Sequence, residues 1–279
     1  MKKLSFTKMH GLGNDFILID GIGEKISARS WDKRTVELCD RFRGVGADGV
    51  ILALPSRRAD FRMRIFNSDG PEAEMCGNGL RCMVRLLYDR KHLRKRKCTI
   101  ETAGGMIEAS VVSASKANFQ VRYCVGVPEF AVENVPVKIR QEYFINGKIM
   151  IGRKNYVVTS LSVGNPHTVV FVDDLSFDWS EVGAEIECHK MFPNRTNVEF
   201  AKVSTRGRVL LKSWERGAGP THASGTGACA VVAAGVMVGL LKRQVEVVCD
   251  FGSLLVEWDS ESNSMYQTGP ADYCFTGTV

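Results

Sequence analysis

The sequence predicts an α+β protein made of two similar halves, and three observations carry that prediction. Short alternating segments punctuated by Gly, Asn and Pro fill most of the 279 residues. Each half also holds one notably apolar stretch long enough for a helix. The segment that heads this stretch occurs twice: Cys76-Gly77-Asn78-Gly79 precedes 80–87, and Ser224-Gly225-Thr226-Gly227 precedes 228–241. At the same offset of 148 positions, Phe66-Asn67-Ser68 falls on Trp214-Glu215-Arg216, and Gly49-Val50-Ile51-Leu52-Ala53 falls on Asn197-Val198-Glu199-Phe200-Ala201. With a slip of three, Gly13-Asn14 meets Gly164-Asn165. Matched segments in one order indicate a duplicated unit rather than a short-period array. The competing reading is chance similarity among Gly-rich loops. Each half is expected to wrap a sheet around its apolar helix, with both helix N-termini aimed at one cleft, because domain interfaces favour small-ligand sites.

Taken in order, 4–9 and 16–20 read as strands around a turn at 11–15. Residues 30–42 read as a helix that starts within 29–32. A Gly-rich turn at 44–49 leads into a strand at 50–54, and 61–67 alternates as a half-buried strand should. The turn Ser68-Asp69-Gly70-Pro71 then runs into the Cys76 helix. That helix is expected to end in the basic run 89–97. Cations at a helix C-terminus are favoured by its dipole, so a solvated face accounts for the run better than a nucleic-acid arm. Strands follow at 98–102, 106–113 and 117–124, and Gly126, Pro128 and Pro136 mark the boundary between halves. The second half predicts strands near 143–150, 155–163 and 168–172, a short helix at 179–189, and strands at 198–203 and 208–214. The long apolar helix comes next, then strands at 245–250, 253–258 and 264–267. The expected domains are 1–125, with 268–279 returning to complete its sheet, and 126–267.

Composition excludes several classes. Hydrophobic content of 44% and charged content of 24% are ordinary for a soluble globular chain. A formal charge of +6 suits attraction of an anionic small molecule, but is not the concentrated basic face of a nucleic-acid binder. Nine irregularly spaced cysteines with no C-x-x-C predict reduced thiols in a cytoplasmic compartment. No zinc-like spacing occurs, and Met1-Lys2-Lys3-Leu4-Ser5-Phe6 lacks the apolar core of a signal peptide. The longest apolar run, 228–241, has 14 residues, too few to span a bilayer.

The chemistry starts with the two repeated helix heads. Backbone N–H groups at a helix start, with the positive end of the dipole, form an anion site. A thiol held there ionises more readily, which makes Cys76 a candidate base or nucleophile, with Gly77 and Asn78 as a carboxylate cradle. The competing reading of Cys76 is a small core residue. Two acid–base groups on opposite faces of one carbon are what inversion of a stereocentre requires. The intervening carbanion needs fixed donors on its carboxylate. No pyridoxal-type lysine loop and no metal cluster is visible, so the chemistry is expected to need no cofactor.

Several motifs together resemble diaminopimelate epimerase. They are Phe6-Thr7-Lys8-Met9-His10-Gly11-Leu12-Gly13-Asn14-Asp15-Phe16, Phe66-Asn67-Ser68-Asp69-Gly70, Glu72-Ala73-Glu74-Met75-Cys76-Gly77-Asn78-Gly79, Gly164-Asn165-Pro166-His167, Arg195-Thr196-Asn197-Val198 and Glu215-Arg216-Gly217-Ala218-Gly219. The resemblance implies two pseudo-two-fold-related domains, each a barrel-like, mostly antiparallel sheet around a central helix. It implies a cofactor-free, cytoplasmic homodimer that interconverts LL- and meso-diaminopimelate for lysine and peptidoglycan synthesis. Position by position, it makes Cys76 one catalytic cysteine and assigns Gly77, Asn78, Gly225 and Thr226 to the reacting carboxylate. It assigns Asn67, Asn165, Asn197 and Arg216 to the distal carboxylate and amine, Asn14 to a substrate contact, Glu215 to an ammonium, and His167 to a catalytic role. Chemically these types fit, since Arg offers a planar donor fork and Asn offers both donor and acceptor. Structural readings compete: Asn14 and Asn165 as turn residues, and Glu215 with Arg216 as a surface charge pair.

One position departs from the pattern. The family's second catalytic cysteine falls on Ser224, whose hydroxyl stays protonated at neutral pH and cannot serve as a resting base without an activating partner. Cys229 lies on another face of the helix and does not replace it. His222 is a candidate partner for Ser224. The sequence leaves open an epimerase of impaired activity, a one-base lyase or a racemase of another amino acid, and a non-catalytic binder of a diacid amino acid.

Overall fold

The computed structural model describes residues 3–24, 26, 30–115 and 117–279. The chain divides into two compact units, Met1–Tyr123 with Thr268–Val279, and Cys124–Gln267.

In unit 1, β1 (Ser5–Gly11) and β2 (Asn14–Asp20) form a hairpin with Gly11 opposite Asn14. The connection is tighter than the sequence suggested: only Leu12 and Gly13 turn, both at positive φ, 55° and 85°. That is the twist a two-residue hairpin needs, and Leu12 holds the strained conformation with its side chain buried. Helix α1 (Trp31–Cys39) is shorter than expected, and Arg29, placed at its start from sequence, lies outside the described residues. Next, β3 (Gly49–Leu54) runs parallel to β2, β4 (Phe61–Asn67) antiparallel to β3, and a two-residue β5 (Glu72–Ala73) antiparallel to β4. Helix α2 (Gly77–Asp89) follows, then β6 (Lys97–Thr102), parallel to β4; β7 (Gly105–Ser115), antiparallel to β6; and β8 (Asn118–Gly126), antiparallel to β7. The final strand, Asp272–Thr278, pairs antiparallel with β1.

Helix α2 packs on β1, β2, β3, β4 and β7, and two of its arginines are interior. A buried guanidinium is tolerable only when its donors are satisfied. Arg81 donates to the carbonyl of Pro270 at 2.9 Å, and Arg85 to the carbonyl of Ala271 and to Asp272 Oδ1. The basic run does not extend this helix as the sequence predicted. Arg90 caps it and Lys91 turns left-handed at φ 64°. Arg90 and His92 then hold Asp20, which also accepts the N–H groups of Ile22 and Gly23. Burial alone would raise the Asp20 carboxyl, but these donors prevail and hold it at about 2.

Unit 2 comprises β9 (Gly147–Ile151), β10 (Lys154–Ser162), β11 (Pro166–Phe171), α3 (Trp179–Glu187), β12 (Asn197–Thr205), β13 (Arg208–Glu215) and β14 (Gly219–Thr221). Helix α4 (Gly225–Met237), β15 (Gln244–Cys249), β16 (Gly252–Trp258) and the start of β17 (Met265–Pro270) follow; the end of β17 and the final strand, β18 (Asp272–Thr278), belong to unit 1. In unit 2 the first strand, β9, is shorter than the expected 143–150. Helix α4 is buried on every side through 227–235, against β10, β11, β12, β15 and β16. Each valine wholly withdrawn there, such as Val231 and Val232, contributes about 1.5–3 kcal/mol. Aromatic and aliphatic side chains including Val158, Val170, Val198 and Phe200 form a second core that partly buried Trp179 of α3 joins.

The pairings repeat strand for strand. The antiparallel pairs β1–β2, β3–β4, β4–β5 and β6–β7 and the parallel pairs β2–β3 and β4–β6 of unit 1 correspond in unit 2 to β10–β11, β12–β13, β13–β14, β15–β16, β11–β12 and β13–β15. The fold is thus α+β and mostly antiparallel, a helix-centred sheet in each unit. Neither β5 nor β14 was anticipated, because two or three residues carry no periodicity. No helix among the described residues is long and apolar enough to cross a membrane.

Candidate active site

In unit 1 the site residues gather at the start of α2. Cys76 is the N-cap, with extended backbone (φ −144°, ψ 121°) and no side-chain capping bond, so its half-buried thiol is left for other work. It donates instead to Asn14 Oδ1 at 3.6 Å, which also accepts from Asn78 Nδ2 at 3.2 Å. Asn14 in turn donates to Asp48 Oδ2 at 2.7 Å, and Arg81 Nη2 fixes Asn78 Oδ1 at 2.6 Å. Asp48 is itself gripped by Arg41 at 2.8 Å. Gly77 and Asn78 occupy the first turn, where helix geometry gives their N–H groups no intrahelical acceptor. Gly77 is required for another reason as well: a Cβ there would lie 1.9 Å from the Tyr123 hydroxyl. Asn67 ends β4 in an exposed position.

In unit 2 the start of α4 is built differently. Ser224 is buried, and its Oγ accepts the N–H of Gly227 at 3.2 Å, a standard cap. Its side chain also lies against the Glu215 carboxyl group, which accepts from Thr221 Oγ1 at 2.8 Å. Burial pushes the Glu215 carboxyl above the usual range. The Thr221 hydroxyl lowers it, the charge of Glu199 raises it further, and His167 and the Ser224 hydroxyl lower it. The net result is a carboxyl that holds its proton to higher pH than a solvated one. His167 is buried, with Nδ1 2.8 Å from Glu199 Oε1 and Nε2 2.8 Å from Asn165 Oδ1. Gly225 and Thr226 take first-turn positions equivalent to those of Gly77 and Asn78.

The remaining expected residues form a brace at the end of β13. Asn197 donates to the Pro166 carbonyl at 2.7 Å and accepts the Arg216 N–H at 2.9 Å, so its amide is occupied with backbone. The exposed Arg216 guanidinium donates to the Asn194 carbonyl at 3.0 Å. Glu215 is not half of a surface pair with Arg216: it points inward to Thr221 and Ser224. His222 does not back Ser224 either. It faces Asp250 at 3.1 Å, with its ring 4.7 Å from that of Phe251. Cys229 is fully buried and pushed up to about 12 by that burial, a core thiol as its helix position implies. Among the described residues no group of His, Cys, Asp and Glu is arranged to hold a metal ion.

Sequence reasoning missed four supporting residues, three of them with a readable trace. Arg81 interrupts an apolar helix, and Glu199 interrupts an apolar strand. Asp48 sits inside a Gly-rich turn as a side-chain acceptor, which is what such turns recruit. Glu187 gathers Trp214 Nε1, the Gly217 N–H and Arg195, tying α3 to the turn that carries Arg216.

Comparison with known proteins places this architecture. Solved structures share the fold: a phenazine biosynthesis protein of the PhzF family from Bacillus anthracis has a TM-score of 0.72 at 18% identity, covering 100% of this chain and 99% of that one. A hydroxyproline epimerase from Agrobacterium vitis has a TM-score of 0.68 at 18% identity, covering 100% and 91%. Sequence relatives are nearer. The diaminopimelate epimerase of Desulfitobacterium hafniense is 43% identical over 278 residues, 99% of this chain and 98% of the relative. That of Methanococcus maripaludis is 41% identical over 277 residues, 99% of each. The sequence model of the diaminopimelate epimerase family matches residues 6–131 and 159–274, and the chain belongs to that family.

Proposed function

We propose that the chain inverts the α-carbon of diaminopimelate without a cofactor, interconverting the LL and meso forms. The observation that carries this reading is the pair of matched helix starts. One presents a half-buried thiol on an amide network, and the other a hydroxyl backed by a half-buried, proton-retaining carboxyl. Cys76, as thiolate, removes the α-proton. The N–H groups of Gly77, Asn78, Gly225 and Thr226 stabilise the negative charge that develops on the carboxylate. Ser224 returns a proton, resupplied by Glu215. Asn14 holds the thiol, His167 supports the Ser224 side, and Asn67, Asn165, Asn197 and Arg216 read the distal carboxylate and amine. A hydroxyl donates a proton far more readily than it removes one, so this enzyme is a slow epimerase. The same reading makes it a cytoplasmic homodimer that acts on a small molecule, with no nucleic-acid or membrane partner. Sedimentation at micromolar concentration checks the dimer.

The test follows LL-diaminopimelate in deuterated water, with stereochemical separation of the products. The parent chain is expected to exchange the α-hydrogen faster than it inverts the centre. Ser224→Cys should raise inversion by about 10²-fold or more, the contribution of a competent acid–base group. A Ser224→Cys variant that folds and stays inert on this substrate would sink the assignment. The hydroxyl at position 224 favours one second reading, a one-base lyase, and release of water or ammonia from a β-substituted amino acid would reveal it.

A further inference from the structure

Glu199 has no role in the reaction as derived above, yet its surroundings are unusual. It lies in the middle of β12 with its side chain wholly buried. One oxygen is 2.8 Å from His167 Nδ1. The other, Oε2, has no hydrogen-bond partner among the described residues. A carboxylate enclosed this way is costly, and an apolar residue would fill the strand with less penalty. Nor is the pair needed to hold the strands, because β11 and β12 are already joined by a parallel ladder from His167–Asn197 to Phe171–Ala201.

Register explains what the carboxylate reaches. His167 lies opposite Asn197 and Val169 opposite Glu199, so His167 and Glu199 project from the same face of the sheet, two residues apart. Helix α4 packs on that face: a Cβ on Gly227 would come within 2.8 Å of Glu199 Oε1 and 3.0 Å of Ser224 Oγ. Glu199 is therefore wedged between His167 and the first turn of α4, beside the Ser224 cap. Asn165 meets the far nitrogen of the same ring at 2.8 Å.

We propose that Glu199 is a positioning residue of the unit 2 acid–base cluster, fixing the tautomer and plane of the His167 imidazole and holding it against the first turn of α4. As acceptor for an Nδ1–H proton, it leaves Nε2 as an acceptor for the Asn165 amide, which in this tautomer turns its NH2 group to the ring, and the ring cannot turn over without losing both partners. Carboxylate-held imidazoles owe their orientation to this kind of contact. The inference rests on the epimerase reading for its catalytic consequence, but not for its geometry.

The experiment uses the full chain and two variants, Glu199→Gln and Glu199→Asp, with proton and nitrogen resonances of the imidazoles recorded alongside α-hydrogen exchange. In the parent, an imidazole N–H resonance protected from solvent is expected, assigned by its loss in His167→Gln. Glu199→Gln should shift or broaden that resonance and lower kcat for exchange by about a hundredfold, the low end of what a positioned acid–base group contributes, with KM within about twofold. Glu199→Asp should restore part of both. A folded Glu199→Gln chain with the parent's resonance and kcat overturns the proposal. So does one that merely melts earlier with kcat unchanged, since that is a structural staple. If neither parent nor variants exchange the α-hydrogen, the epimerase reading fails, and the resonance alone still decides whether Glu199 sets the ring.

Discussion

The two helix starts are equivalent by sequence offset and strand order, yet their side chains do opposite things. At α2 the N-cap side chain makes no capping bond, and the thiol meets the Asn14 amide oxygen. At α4 the N-cap side chain closes the helix on Gly227 and leans on the half-buried Glu215 carboxyl. On the proposed reading, the first arrangement gives up a cap to present a reactive group, and the second gains a cap at the expense of reactivity. The helix bodies differ in the same sense. Polar tethers from Arg81, Arg85 and Arg90 anchor α2, whereas the body of α4 is packed chiefly among apolar side chains, with Gln267 donating to the Gly225 carbonyl at 2.7 Å and to Cys229 Sγ at 3.7 Å. A duplicated unit can keep its pairing scheme while its two copies divide reactivity and stability between them.

The largest effect that tests this contrast is on rate. Cys76→Ala should lower α-hydrogen exchange by about 10³-fold or more, whereas Ser224→Ala should lower it by less than about tenfold. Equal losses from the two would erase the proposed asymmetry. In stability the order reverses. Ser224→Ala removes a cap and should cost about 1 kcal/mol by denaturant titration, while Cys76→Ala, which removes none, should stay within about 0.5 kcal/mol.

Backbone crowding comes next. Gly77→Ala sets a methyl into the buried Tyr123 hydroxyl and should cost about 3 kcal/mol, measured by chemical unfolding. At Gly79 the obstacle is the end of the Ile51 side chain at 2.5 Å, which can rotate, so Gly79→Ala should cost less. A Gly77→Ala chain as stable as its parent would mean that Tyr123 is not the constraint.

Acid sensitivity should reside in unit 1. Asp20 is held at about 2, against an ordinary 3.8. Its contribution is therefore complete above 3.8 and is lost as the pH falls toward 2. Asp20→Asn should remove about 2 kcal/mol at neutral pH and almost nothing near pH 2, read from unfolding midpoints across that range. Glu215 works in the other direction because its carboxyl is raised. Its contribution is complete below the ordinary 4.5 and is lost as the pH rises through the higher folded value. Glu215→Gln should thus raise the melting midpoint at neutral pH, leave it unchanged below 4.5, and reduce exchange. The smallest effect belongs to the exposed His222–Asp250 pair, where His222→Ala should change stability by no more than about 0.5 kcal/mol and leave the rate alone.

Much of this was readable in the chain. The helix at 228–241 announced itself by composition, and Phe61–Asn67 by alternation, because periodic burial leaves a periodic residue pattern. The basic run after Asp89 was misread as a helix end, because what stops that helix is a left-handed Lys91 and a distant carboxylate, Asp20. The inward turn of Glu215 was hidden for the same reason: its neighbour in sequence is Arg216, but its neighbours in space are Thr221, Ser224 and Glu199.

By itself the sequence determined the repeated unit, the two helix heads, and a thiol at the first head against a hydroxyl at the second. Those are local properties, set by residue type and spacing along one strand of chain. Tertiary structure alone decided that Ser224 serves as a cap against Glu215 and that His167 is set by Glu199. It also decided that Arg81 threads the core to reach Pro270 and that Gly77 answers to Tyr123. Each of these joins groups from separate strands and helices, and their proximity is fixed by sheet register and helix packing, which no local pattern encodes.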